Sequence, residues 1–405
     1  MKNYKSWTSI SLFSFCIVGF LGVVLRSKIL FNLPWINYLN LLDGHSHFAF
    51  SGWVTLALLT LLINELLPGV YQTKNIYQVL LWGVVISSYG TLLTVIFNQA
   101  ILHGFFSSLF ILTSYVFGWV YIRDMRYATV NKTVYLLSIS SIICLMLSSV
   151  GPIALAYLHA VGSVQSFFYR DAVYIYLHLL YNGFFTLAIF ALCFYKLFPK
   201  IQEKHQHNYF WFSVLLITSI LPSLFLSFLW QDPDATFRVM AVIGSILIFS
   251  TVTWFVISSL LALKHLKSPM PIRIILFLSI GAFILKMILQ SLTIFTLIGN
   301  AVFGDRPVII GFLHLVFLGF VSPFILAYMV QIKTLSVKLK LTRYALFLFT
   351  FFAVCNEITL MLQGLGAMFL KSSQLFSSLL WLTSIGLVIG TVLLLASNLK
   401  SAKAL

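Results

Sequence analysis

The sequence has little charge. Only 8% of its 405 residues are Asp, Glu, Lys or Arg, and only nine are acidic, whereas 60% are hydrophobic. A soluble domain needs more charge than this to cover its surface in water, but a surface that faces lipid needs almost none. The scarcity of charge therefore excludes an ordinary soluble globular domain and indicates a membrane protein.

Cysteine is also scarce. Cys16, Cys144, Cys193 and Cys355 lie singly within apolar runs, too far apart for any CxxC motif. This spacing excludes a zinc knuckle and predicts small buried side chains in place of a disulfide framework. The CxxCH signature of covalent heme attachment is missing as well, so any heme would be held non-covalently.

Long apolar runs recur along the whole chain. Each is about 20 residues long, enough for a helix to cross a hydrocarbon core of about 30 Å. The runs lack the alternation of barrel strands, so they predict an all-α polytopic membrane protein with a single membrane domain, residues 1–405. The twelve predicted helices cover residues 7–25, 45–67, 76–97, 101–121, 133–157, 173–197, 208–229, 238–263, 272–299, 308–331, 343–370 and 376–398.

The basic residues punctuate these apolar runs. The net charge of +16 does not indicate nucleic-acid binding, because Lys and Arg are not clustered on one segment. If the N-terminus is cytoplasmic, eighteen of the 25 Lys and Arg residues lie in inner segments and six in outer ones, and Lys286 alone lies within a helix. The positive-inside pattern therefore predicts a bacterial-type inner membrane protein with both termini in the cytoplasm and a retained first helix.

An internal repeat is the most informative motif. His47, His178 and His314 each begin the pattern H-x4-G-[WF]-[VF]-[ST], at intervals of 131 and 136 residues, about a third of the chain. Each copy falls on the second helix of a four-helix group. The pattern predicts three pseudo-threefold repeats, covering approximately residues 1–130, 131–266 and 267–405. An ancient duplication in which the histidines have no surviving role is the alternative explanation.

The predicted orientation places six of the nine histidines at one depth in the membrane. The three repeat histidines lie in the outer part of the membrane, and three more lie at helix ends on that side: His45, His103 and His159. An imidazole in lipid is costly without a partner, and imidazole is the commonest protein ligand for heme iron, zinc and copper. We therefore expect a heme or metal site at this depth. The remaining histidines fall in basic loops and are expected to be ordinary solvated residues: His205, His207 and His265.

Glycines near the repeat histidines and two charged residues within helices are further candidates for a function. Gly52, Gly183 and Gly319 lie a little over one turn after the histidines and would let a macrocycle or a neighbouring helix approach closely. Lys286 and Glu357 lie near the middle of helices nine and eleven, where a charge is expensive. They are predicted either to form a buried ion pair or to belong to a proton path.

Two arginines are candidates for binding heme propionates. Arg306 precedes helix ten and Arg170 precedes helix six, both on the predicted outer side, and a guanidinium group matches a carboxylate in geometry. The alternative partners are the adjacent carboxylates Asp305 and Asp171.

The architecture and the histidine positions resemble subunit I of the heme-copper oxidase superfamily. This resemblance spans the whole chain, with histidines on helices two, six and ten. It implies a low-spin heme between His314 and either His45 or His47, with His47 favoured, and a second metal such as copper at His178. His103 could contribute to a different metal site.

The sequence also departs from that family. The histidine pair of helix seven is missing from residues 208–229, helix ten has only His314, and Tyr181 follows His178 by three residues. These differences imply an incomplete three-histidine copper centre and leave the oxidoreductase reaction open.

Other functions remain open. The His45-x-His47 motif is also similar to the second helix of NnrS-type heme-copper membrane proteins of nitric oxide metabolism. A heme protein of either kind would need an electron-donor or other respiratory subunit as its partner, and would act on a small gas or pass electrons. The alternatives from other classes are a twelve-helix secondary transporter and a non-catalytic assembly or sensor subunit.

Overall fold

The computed structural model describes residues 4–163, 166–262, 270–304, 306–368 and 373–403. Within these ranges the chain is helical and contains no strand. Twelve of its helices are long and apolar enough to cross a membrane. Large side chains such as Phe20 and Trp119 are exposed, as a surface facing lipid allows. The prediction of an all-α, multi-pass membrane protein is therefore confirmed.

The twelve helices occur in the predicted order. They are α1 (Tyr4–Leu30), α2 (Tyr38–Leu66), α3 (Asn75–Ile96), α4 (Ala100–Met125), α5 (Lys132–Ala160), α6 (Phe167–Lys200), α7 (His205–Gln231), α8 (Ala235–Ser259), α9 (Ile272–Leu292), α10 (Arg306–Gln331), α11 (Lys340–Gly366) and α12 (Gln374–Ser401). Residue 263 of the predicted eighth helix and residues 369–370 of the predicted eleventh lie outside the described residues.

Helix α2 begins earlier than predicted. The side-chain oxygen of Asn37 accepts hydrogen bonds from the backbone N–H groups of Leu39 and Asn40, at 3.0 and 3.1 Å, and so caps the helix. The helix starts at Tyr38, so the predicted start at residue 45 is wrong. His45 consequently lies about two turns inside the helix.

Helix α9 ends earlier than predicted. Its last residue is Leu292, whereas the apolar run predicted a helix to residue 299. The backbone N–H groups of Thr293 and Ile294 bond to carbonyl oxygens three residues earlier, and a separate short helix follows at Thr296–Gly304. A turn therefore interrupts the apolar run, which hydropathy alone does not reveal.

The chain forms two compact units. The first consists of Met1–Phe117, Pro269–Ile280 and Ile310–Leu405, and the second of Gly118–Ser268 and Gly281–Ile309. The division into repeats at residues 1–130, 131–266 and 267–405 stays a prediction.

Buried aromatic contacts join three helices within the first unit. The indole N–H of Trp53 on α2 donates to the Oγ atom of Ser322 on α10 at 2.9 Å. The ring of Phe15 on α1 stacks on Trp53 with centroids 4.2 Å apart and planes 7° apart. Because Trp53 is almost fully buried, its N–H needs this acceptor.

Helices α2, α6 and α10 share a local irregularity. Each contains a seven-residue π-helical segment that begins one or two residues after its repeat histidine. The segments are Ala49–Thr55, Leu179–Phe185 and Leu315–Val321. No other π-helix occurs in the described part of the chain. Such segments make up well under 1% of residues in proteins and often occur at functional sites.

Two of the repeat glycines in these segments lie where a larger side chain would clash with a neighbour. A Cβ atom added to Gly183 would lie 2.6 Å from the Cβ atom of Cys144, so the glycine lets α5 approach α6. A Cβ atom added to Gly52 would lie 2.7 Å from the ring of Phe48 on its own helix. Gly183 therefore has the predicted role in helix approach, whereas Gly52 accommodates a neighbouring side chain.

Candidate cofactor site and buried polar cluster

A cavity in the first unit brings together two of the predicted histidines. His45 on α2 and His314 on α10 both line it, together with segments of α1, α11 and α12. Its walls are mainly apolar and aromatic, and its volume is about 180 Å³. Space of this size, with a few convergent polar groups, suits a ligand more than a single water.

The hydrogen bond of His314 fixes its ring. Its Nδ1 atom lies 2.8 Å from the carbonyl oxygen of Ile310, one turn earlier in α10. A carbonyl oxygen can only accept, so Nδ1 carries the proton and Nε2 keeps its lone pair. This is the arrangement that orients a histidine for a metal, because the second nitrogen is left as the ligand atom.

The ring of His45 lies against helix α1. Its Cε1 atom is 3.5 Å from the position of a Cβ atom added to Gly22. The Nδ1 atom of His45 is buried and has no hydrogen-bond partner among the described residues. A buried polar nitrogen without a partner costs about 1–3 kcal/mol. A ligand in the cavity would provide the missing partner for this nitrogen.

Arg26 is a cavity residue that the sequence analysis missed. The predicted first helix ends at residue 25, but α1 extends to Leu30, so Arg26 is helical, partly buried and part of the cavity wall. No carboxylate of the described residues lies within 4.0 Å of its guanidinium group. A partly buried cation in an apolar cavity favours an anionic ligand.

His47 and His103 lie together and do not line this cavity. Their ring centroids are 6.3 Å apart, with planes at 65°. The Nδ1 atom of His103 is buried without a hydrogen-bond partner in the described chain. The two histidines of α2 therefore have different surroundings: His45 lines the cavity, as His314 does, and His47 lies beside His103.

The described residues contain no group of three or more His, Cys, Asp and Glu side chains placed to hold a metal ion.

His159, which was predicted at the same depth as the repeat histidines, is exposed at the end of α5. His207 accepts a hydrogen bond from Trp211, and His265 lies outside the described residues.

His178 lies in a polar cluster of the second unit, which it forms with Asn182, Thr186 and Lys286. It is fully buried, its Nε2 atom lies 2.8 Å from the carbonyl oxygen of Ile220, and its Nδ1 atom lies 3.1 Å from the amide nitrogen of Asn182. Both ring nitrogens therefore have hydrogen-bond partners within the protein.

Lys286 belongs to the same cluster. It is fully buried and donates from Nζ to the side-chain oxygen of Asn182 at 2.6 Å and to the hydroxyl of Thr186 at 3.4 Å.

Glu357 lies in the first unit, where its Oε1 atom accepts from the amide of Asn356 at 3.2 Å. The ion pair of Lys286 with Glu357 and the proton path both stay predictions.

Arg170 binds protein groups of the second unit. It donates to the carbonyl oxygen of Phe303 at 2.6 Å and to the hydroxyl of Tyr174 at 2.8 Å. Asp171, its predicted alternative partner, accepts a hydrogen bond from the indole of Trp230 at 3.1 Å. These contacts give Arg170 a role in local structure.

Arg306, the other predicted propionate partner, begins helix α10. It is exposed and does not line the cavity, in contrast to Arg26. Asp305, its predicted alternative partner, lies outside the described residues.

No protein-family model matches the chain, and no characterised protein matches its sequence.

Proposed function

We propose that this is a multi-pass membrane protein that holds a non-covalent, b-type heme at the cavity of the first unit, with His45 and His314 as its ligands. The observation that carries the proposal is that these two histidines, from different helices, line one mainly apolar cavity. His314 has its Nε2 lone pair left for a ligand, and His45 has a buried nitrogen without a partner.

The residues around the histidines fit the other requirements of this cofactor. The apolar walls suit a flat macrocycle, and Arg26 would pair with its propionate carboxylates, as guanidinium groups do. When bound, heme supplies one-electron redox chemistry. His45 and His314 would both hold the group, which would leave little room for a gas to bind, so electron transfer is the reaction that this site supports best. A partner subunit or a soluble donor would deliver the electrons.

Two further observations support the proposed relationship to subunit I of the heme-copper oxidases. The described residues form twelve helices of spanning length, as that resemblance implies. The π-helical segments that follow His47, His178 and His314 fall at equivalent places in the three proposed repeats. With both termini in the cytoplasm, the heme would lie nearer the outer face of the membrane and serve respiratory electron transport.

The absorption spectrum of the purified protein tests this function. A Soret band, a reduced-minus-oxidised α-band and one heme per chain are the expected results. A colourless preparation from heme-replete cells would overturn the proposal.

Carbon monoxide then separates two reactions. Failure of the reduced protein to bind carbon monoxide indicates an iron with both axial positions filled and supports electron transfer. Binding would show an open position and favour chemistry on oxygen or nitric oxide, as the NnrS-type resemblance suggests.

A further inference from the structure

The hydrogen bonds around His178 have only one consistent set of directions. An ammonium group can only donate, so with Lys286 protonated the oxygen of the Asn182 amide faces Lys286 and its nitrogen faces His178. The Nδ1 atom of His178 is then an acceptor. The carbonyl oxygen of Ile220 can only accept, so Nε2 carries the proton. The two ends of the chain of bonds thus fix the same neutral tautomer independently.

This tautomer leaves His178 unable to bind a metal. A metal ligand needs a nitrogen lone pair that points at the ion. The lone pair of Nδ1 is used by the amide of Asn182, and Nε2 presents a proton to a carbonyl. The hydroxyl oxygen of Ser223, 3.4 Å from Nε2, adds a polar neighbour on that side. The donor set around His178 therefore does not fit the second metal that the oxidase resemblance implies.

Acceptor oxygens and aromatic rings surround the amino group of Lys286. Its Nζ atom donates to oxygen acceptors of Asn182 and Thr186. Its Nζ atom also lies 5.3 Å from the ring centroid of Tyr181 and 6.0 Å from that of Phe283. Aromatic faces attract a cation, and more strongly where water is excluded. The amino group is thus placed where a metal ion near His178 would meet electrostatic repulsion.

A small void adjoins the cluster. It has a volume of about 10 Å³ and is lined by Asn182, Ser219, Ser223 and Gln290, among others. That is roughly the space that one water molecule needs, and a buried water needs two to four polar partners. The Oε1 atom of Gln290 is buried and has no hydrogen-bond partner among the described residues. A water in this void would supply that partner.

We propose that Lys286 takes the place of a metal ion beside His178. Its ammonium group is the resident cation of the second unit, Asn182 connects it to His178, and one ordered water in the adjoining void binds Gln290. The second unit then carries an amino group, which has no redox chemistry, at the place of a metal ion. This inference does not depend on heme in the first unit, because every group that carries it lies in the second.

Metal analysis tests the inference. Wild-type protein and a His178→Ala variant are incubated with excess Cu²⁺ or Zn²⁺, passed over a weak chelating resin, and analysed for non-heme metal. We expect the two proteins to retain equal amounts, because sites elsewhere on the chain are common to both. Stoichiometric metal in the wild type that is missing from a folded His178→Ala variant would overturn the inference. The Soret band is read separately, so loss of heme is not mistaken for this result.

A high-resolution map of the wild-type protein gives a second test that needs no variant. We expect a water peak at about 2.5–3.0 Å from Gln290 Oε1 and no peak in bonding range of His178. A strong peak at about 2.0–2.1 Å from either ring nitrogen of His178, the distance of a metal–imidazole bond, would overturn the inference. So would a void without density.

Discussion

His314 donates a hydrogen bond from Nδ1 to the carbonyl oxygen of Ile310, 2.8 Å away on the preceding turn of α10. The bond selects one tautomer of a histidine that lines a cavity. Nε2 is thereby available to a ligand, whereas the same kind of bond at His178 uses Nε2 itself. Two histidines of one sequence pattern therefore donate to carbonyl oxygens from opposite ring nitrogens, and at His178 the other nitrogen also has a partner, Asn182.

The proposed ligand pair predicts different effects of two neighbouring substitutions on α2. His45→Ala removes an imidazole from the cavity wall and should abolish the low-spin heme spectrum, as should His314→Ala. His47→Ala, two residues away, should leave the heme content and the spectrum unchanged, because His47 lies beside His103 and not on the cavity. Optical spectra of the three purified variants decide between His45 and His47. Loss of heme in His47→Ala with retention in His45→Ala would contradict the assignment.

Arg26 should contribute to heme retention. Hydrogen bonds to charged groups contribute about 1.5–3 kcal/mol, so Arg26→Gln should weaken heme binding roughly 10- to 100-fold. The rate of heme loss to an excess of a heme-scavenging protein measures this effect. Arg306→Gln is the control, since Arg306 is exposed and lies off the cavity. A larger effect at Arg306 than at Arg26 would restore the assignment made from the sequence.

The Trp53–Ser322 hydrogen bond should stabilise the first unit. Ser322→Ala leaves a buried indole N–H without an acceptor, which should lower the free energy of unfolding by about 1–3 kcal/mol. Trp53→Phe removes the donor and much of the stacking on Phe15, so it should destabilise as well. The double variant should lose less than the sum of the two, as expected for directly coupled residues. Unfolding in detergent measures all three, and strict additivity would argue against the bond.

Gly183 should tolerate no side chain. Gly183→Ala places a Cβ atom 2.6 Å from the Cβ atom of Cys144, and such overpacking typically costs about 1–3 kcal/mol. Gly281→Ala is the matched control, because an added Cβ atom there meets nothing within 4 Å and alanine favours a helix. Thermal unfolding should show a lower midpoint for the first variant and an equal or higher one for the second. Equal midpoints for both variants would show that α5 and α6 separate easily at this point.

The charge asymmetry predicts the orientation. Fusions of green fluorescent protein at the C-terminus should fluoresce in a bacterial host, and alkaline phosphatase fusions there should be inactive, because both termini are expected in the cytoplasm. The reverse result would place the cavity nearer the cytoplasmic face.

The helices were predictable from the sequence because apolar runs of spanning length leave few alternatives in lipid. Their ends were less predictable. The start of α2 at Tyr38 was missed because polar residues such as Asn40, Asp43 and His45 interrupt hydrophobicity without interrupting the helix. The end of α9 at Leu292 was missed because the following turn is itself apolar.

The cavity was predictable only in part. Repetition of the histidine motif pointed to His314 and to one of the two histidines of α2, but spacing could not decide between His45 and His47, because that depends on which helix faces meet. Arg26 was missed because a charge near the end of an apolar run was counted with the loop. A signal was available, since Arg26 is followed by Ile29 and Leu30, which suit a longer helix.

Hydrogen-bond directions lay beyond what the sequence could give. Nothing in the residues around His178 revealed that Asn182 and Lys286, 104 positions apart, would meet. The meeting depends on the packing of α6 against α9 in the second unit. The sequence therefore identified His178 and Lys286 as costly buried groups but could not name their partners.

The three π-helical segments also bear on the ancestry of the chain. A π-helical turn arises when one residue is inserted into an α-helix without disturbing what precedes or follows it. If the three helices descend from one ancestral helix, the simplest history has a single insertion that took place before the gene fragment was triplicated. The irregularity would then be older than the twelve-helix protein, and His45, Arg26 and Lys286, which belong to no shared pattern, would be later specialisations of individual copies.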